Sequence, residues 1–167
     1  MNGNSVSLII WALMHLLEDP PLLATAREEA VAAYTTDENG ARCIDMKKLA
    51  TMPILQAVFA ETLRLHVNLA VAREVYNPIV LEGYEIPKGA YLHGYTGLAH
   101  FDDEVWAKDG HPASEFWASR HLVEVVVDKT DEAGAVRKTS EFSLADKAGS
   151  YFPFGTRKHA PKRGRGY

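Results

Sequence analysis

The stretch Met52-Pro-Ile-Leu-Gln-Ala-Val-Phe-Ala-Glu61-Thr-Leu-Arg64-Leu constrains this chain more than any other part of it. At helical spacing Glu61 and Arg64 are i,i+3 neighbours, close enough to pair. Ile54 lies seven residues before Glu61 and Leu65 four after, so the charges stand among apolar neighbours. Leu55, Phe59 and Leu63 fill another face, which predicts a helix that is apolar nearly all round and buried. Charges in such a place cost several kcal/mol unless they are paired and hydrogen-bonded. The pair is therefore built into the interior rather than solvated.

The chain has 167 residues, the size of one domain, and its 47% hydrophobic content can supply a core. A net charge of -4 argues against a nucleic-acid binder. Cys43 is the only cysteine, which leaves no disulfide framework and no cysteine metal cluster. The longest apolar run, Val6 to Leu17, is shorter than the roughly 20 residues a bilayer requires. Met1 to Ser5 lacks the basic region of a signal peptide, so no targeting segment is expected. A chain that opens directly into an apolar helix reads as one whose upstream cover is missing.

Along the chain, Ser5 to Leu17 reads as a buried helix that Asp19-Pro20-Pro21 stops and restarts. Leu22 to Tyr34 reads as an amphipathic helix with Arg27, Glu28 and Glu29 on its wetter side. Thr35 to Gly40 is a loop, and a short helix from Asp45 to Leu49 leads into the Glu61 helix, with Pro53 in its first turn. After His66 the period changes. Val71 to Tyr76, Ile79 to Ile86 and Ala90 to Tyr95 are β-type runs, with a Pro87-Lys88-Gly89 turn between the last two. A loop region from His100 to Leu122 precedes a strand at Val123 to Val127, and Asp128 to Asp146 reads as a charged surface insertion. The class is α+β, mainly helical.

In this order the pieces resemble the C-terminal part of a cytochrome P450. Asn2-Gly-Asn-Ser5 and the following Trp11-to-Pro20 segment are similar to the final turns of the family's long central helix. The Glu61-x-x-Arg64 helix resembles its helix K, and Tyr84-Glu-Ile-Pro-Lys-Gly89 its small-sheet turn. His100-Phe-Asp-Asp-Glu-Val-Trp106 and Glu115-Phe-Trp-Ala-Ser-Arg120 resemble the meander before the haem loop, and Tyr151-Phe-Pro-Phe-Gly155 the entry to that loop. The resemblance implies a partial P450 fold over residues 1–167, with a small β-sheet and without the N-terminal helices and the final helix. It implies a structural cluster of Glu61, Arg64 and Arg120, in which two guanidinium forks satisfy one carboxylate and nearby carbonyls. Haem b is the implied cofactor, with Arg73 on a propionate and Phe154 and His159 in the loop around it. Ser5 falls near the hydroxyl that steers protons to bound oxygen in the family, and also where it would cap the first helix.

The loop departs from the family pattern. P450 iron is held by a cysteine thiolate, and Phe152-Pro-Phe-Gly155-Thr-Arg-Lys-His159-Ala-Pro161 contains none. With Phe154 as the motif phenylalanine, Pro161 stands at the cysteine position and His159 at a basic position. With Phe152, His159 falls on the ligand position. A cysteine lost between Ala160 and Pro161 is the third alternative. Cys43, expected in a loop before helix K, is no substitute. Residues 156–167 form a divergent basic tail, read as a solvated end.

The resemblance thus implies a monooxygenase that takes electrons from NADPH–cytochrome P450 reductase and inserts oxygen into a small apolar substrate. For a full-length eukaryotic relative it implies the endoplasmic reticulum membrane. For this chain, read as truncated and without the cysteine, the expectation is inactivity. The alternatives are a non-catalytic remnant and a small helical interaction protein.

Overall fold

The computed structural model describes residues 3–127, 137–147 and 149–154. Its first half is helical: α1 (Gly3–Glu18), α2 (Pro20–Ala32), α3 (Met46–Leu49) and α4 (Pro53–His66). Asp19 caps α2, its carboxylate accepting the Leu22 N–H at 3.0 Å, and the two prolines fill the first turn where no N–H is needed. Asp45 caps α3 through the Lys47 and Lys48 amides. No side chain of its own caps α4. Glu29 of α2 does so instead, accepting the Ile54 and Leu55 N–H groups at 3.0 Å each. Glu29 is therefore not on a wet face: the positive end of α4 draws it into the helix–helix contact.

Among the described residues the strands make four two-stranded antiparallel pieces. β1 (Tyr34–Thr36) and β2 (Arg42–Ile44) form a hairpin where a loop was expected. Asp37 closes its turn by accepting the Asn39 and Ala41 amides, and Cys43 sits in β2 rather than in a loop. β3 (Ala70–Glu74) pairs with β6 (Tyr91–Tyr95), and β4 (Ile79–Leu81) pairs with β5 (Tyr84–Ile86). The run Ile79 to Ile86 is thus two strands and not one. Glu82 and Gly83 both have positive φ, 49° and 83°, the backbone of a two-residue hairpin turn. The Pro87-Lys88-Gly89 turn is present, but the strands on its two sides belong to different sheets.

The region 100–122 is more ordered than a loop. It contains the end of α5 (Thr96–His100), α6 (Asp103–Trp106) and a 3-10 turn at Ala118–His121. β7 (Leu122–Val127) pairs with β8 (Arg137–Phe142). The second half of the expected insertion is therefore a strand, built from residues whose charge had hidden it. The tail 156–167 lies outside the described residues.

Helix α4 is the hub, touching α1, α2, α5, both strands of the last hairpin and the 3-10 turn. Ala57, Val58, Ala26, Ala118 and Leu16 form the buried cluster around it. Small residues at these contacts let the backbones approach closely. The opposite side of α4 is not covered: Phe59 is 52% exposed, contrary to an apolar surface buried all round. Helix α1 departs from expectation in the same way, with Leu16 buried but Ile9 59% and Leu17 68% exposed. Among the described residues, no single helix is long and apolar enough to cross a membrane.

Candidate functional site

Glu61, Arg64 and Arg120 come together with their side chains fully shielded from solvent. Arg64 meets Glu61 as a fork, Nε donating to Oε2 at 2.9 Å and Nη2 to Oε1 at 2.8 Å. Arg120 Nε donates to Oε1 at 3.1 Å, as does the Trp117 N–H. A further partner, His121, has its Nε2 2.8 Å from Oε2. An ionised carboxylate only accepts, so His121 carries its proton on Nε2. Sequence reasoning missed His121; its position directly after Arg120 was the available signal.

One carboxylate faces two guanidinium cations, and backbone carbonyls absorb the remaining positive charge. Arg64 donates to the carbonyls of His100 and Ala113 at 2.6 Å each and of Glu115 at 3.2 Å. Arg120 donates to those of Trp106, Pro112 and Glu115. The cluster thereby ties the whole 100–120 segment to one turn of α4. Trp106 lies beneath it, fully buried, its Nε1–H donating to the Ala99 carbonyl at 2.7 Å.

Burial pushes the Glu61 carboxyl up, but the hydrogen bonds and charges of Arg64 and His121 outweigh it and hold it at about 2 against an ordinary 4.5. A depressed carboxyl value contributes stability that is complete above pH 4.5 and disappears as pH falls towards 2. At about 1.4 kcal/mol per unit the loss is about 3 kcal/mol. Urea midpoints measured across that acid range should fall in the native chain, and the part due to Glu61 should be missing in Glu61→Gln.

Two clefts open along the uncovered face of α4, which carries Phe59 and Leu63. One, of about 540 Å³, lies between α1 and the end of α4, with Ser5, Trp11, Phe59, Leu63, His66 and Phe154 on its walls. The other, of about 1190 Å³, includes Met46, Leu55, Phe59, Leu144, Phe152 and Phe154. The fold thus brings Ser5 and Phe154 to one cleft. It places Arg73 on neither wall: this residue is exposed on β3, where it donates to the Ala72 carbonyl at 3.2 Å. The approach to Phe154 is anchored by Tyr151, whose hydroxyl donates to the Ala60 carbonyl at 3.3 Å, and by His100, whose Nε2 accepts the Phe152 N–H. Burial pushes the Tyr151 hydroxyl above its usual range, so it stays a donor. His159 and Pro161 lie outside the described residues.

A family model for cytochrome P450 matches residues 4–156. The chain belongs to the cytochrome P450 family. It is 44% identical over 155 residues to the cytochrome P450 monooxygenase calL of Penicillium decumbens, covering 92% of this chain and 27% of that protein. It is 34% identical to the cytochrome P450 monooxygenase fsoE of Humicola fuscoatra, over 92% of this chain and 29% of the relative. A lanosterol 14-alpha demethylase of Mycosarcoma maydis is 26% identical, over 89% of this chain and 29% of the relative. The chain therefore spans less than a third of the length of these relatives.

P450 membership implies haem, and the donor set does not fit a haem-thiolate iron. Cys43, the single cysteine in the sequence, pairs across the β1–β2 hairpin with Thr35 and lines neither cleft. Thiolate ligation by the cysteine of this chain is therefore not available.

Proposed function

We propose that this chain carries the proximal scaffold of a P450 monooxygenase and does not itself perform thiolate-supported oxygen insertion. The placement of Cys43 on the β1–β2 hairpin, away from both clefts, carries this reading. Glu61, Arg64 and Arg120 are structural in it, fixing the 100–120 segment and the approach to Phe154. Ser5 serves as the oxygen-activation hydroxyl only where a competent haem site is completed around the first cleft. Arg73, exposed on β3, is the guanidinium offered to an anionic propionate, and His159 is the loop's alternative donor. The parent activity is oxygen insertion into a small apolar substrate with electrons from a P450 reductase. The apolar lining of the clefts and the monooxygenase names of the relatives support it. For a full-length relative the proposed location is the endoplasmic reticulum membrane. Family membership sets aside an interaction module unrelated to P450.

The test is reconstitution of the purified 167-residue chain with haem, followed by reduction and carbon-monoxide difference spectroscopy. The expected result is no thiolate-type Soret band. A thiolate-type band would overturn the proposal. An imidazole-type band that disappears in His159→Ala supports it and assigns the iron contact to His159.

A further inference from the structure

The Glu61–Arg64–Arg120 cluster makes no hydrogen bond to the polar contact between α1 and α4. His15 and His66 meet there with their Nε2 atoms 2.8 Å apart and ring centres 5.1 Å apart. That difference leaves little more than one ring radius on each side, so the two nitrogens point at each other head-on. Outer faces of the rings are braced: Trp11 stacks on His66 at 4.0 Å and Phe116 stacks on His15 at 4.0 Å. The gap holds a proton and not a metal ion, because two Zn–N bonds of about 2.0–2.1 Å placed head-on need roughly 4 Å.

We propose that the His15–His66 pair is a pH-sensitive latch, in which one proton shared between the two Nε2 atoms ties α1 to α4. With both rings neutral, one donates and the other accepts. One added proton still allows that arrangement. A second places N–H against N–H and two positive charges side by side, and α1 is released from the wall of the smaller cleft. That wall includes both Trp11 and His66, so release of the latch changes the cleft itself.

The charged surroundings are few. From α1, Glu18 Oε2 lies 3.6 Å from His15 Nδ1, which directs the first proton to His15. From α4, Glu61 also favours a charged His15, and His66 itself faces the ring. The segment before the 3-10 turn contributes the uncharged Phe116. The charged Glu29 of α2, which also packs on α1, is engaged at the start of α4. Burial outweighs the neighbouring carboxylates for His15, and for His66 burial and the facing ring act together, so both are held below the ordinary 6.5. A lowered histidine value means that the latch is intact above pH 6.5 and fails as pH falls through the folded-state values.

The test is amide hydrogen exchange in the 167-residue chain at about pH 7.5 and about pH 4, low enough for the second proton to bind, corrected for intrinsic exchange, beside His66→Gln. Protection of α1 should fall about tenfold relative to α4 at the lower pH in the native chain, and stay level in His66→Gln. Equal α1 protection at both pH values, or an equal fall in the variant, would overturn the latch. If His66→Gln does not fold, imidazole NMR of the native chain decides. Coupled titration of the two rings below the free-histidine range supports the latch, and independent titration at the free value overturns it.

Discussion

Glu61→Ala is expected to cost about 3–5 kcal/mol, enough to unfold much of a domain whose total stability is about 5–15 kcal/mol. The loss does not come from missing attraction alone. Arg64 and Arg120 would keep their carbonyl partners, but two cations would remain in a solvent-free site with no anion. The His121 Nε2–H and the Trp117 N–H would lose their acceptor as well. Glu61→Gln separates charge from shape: its amide oxygen can still accept from one guanidinium, so a smaller loss is expected. Urea denaturation followed by far-UV circular dichroism measures both. A Glu61→Ala chain within about 1 kcal/mol of native would mean that the carbonyls alone hold the arginines.

Trp106→Ala is the second large effect, also about 3–5 kcal/mol. The side chain is fully buried, and its ring meets His100, His121 and Tyr151 edge-on at centroid distances of 6.5, 5.9 and 6.1 Å. The Arg64 guanidinium lies 5.2 Å from the ring centre, so the indole also faces a cation of the cluster. Removing it leaves a cavity and strips the Ala99 carbonyl of its donor. Near-UV circular dichroism through a urea titration is the readout. Trp106→Phe should recover part of the loss by refilling volume, without restoring the N–H. If Phe and Ala variants lose equally, the hydrogen bond and not the packing sets the stability.

Much of this was legible in the residues. Pro53 marked the first turn of α4, and Asp19-Pro20-Pro21 marked the boundary between α1 and α2. The β1–β2 hairpin and β8 were not legible, because exposed polar strands carry no apolar alternation and take their register from a partner. Nor could the sequence distinguish Glu28 from Glu29, adjacent acids on one helix. Only packing of α2 against the start of α4 makes the second a cap.

By itself the sequence determined the family, the helical framework and the presence of a buried Glu61–Arg64 pair. Those follow from local spacing and from the cost of burying charge. It also determined that the single cysteine precedes α4. Tertiary structure alone decided that His121 and the Trp117 amide complete the carboxylate's shell, that His15 faces His66 across 51 residues, and that Arg73 stands apart from Ser5 and Phe154. Such contacts depend on how distant segments approach one another, and no local residue pattern encodes that distance.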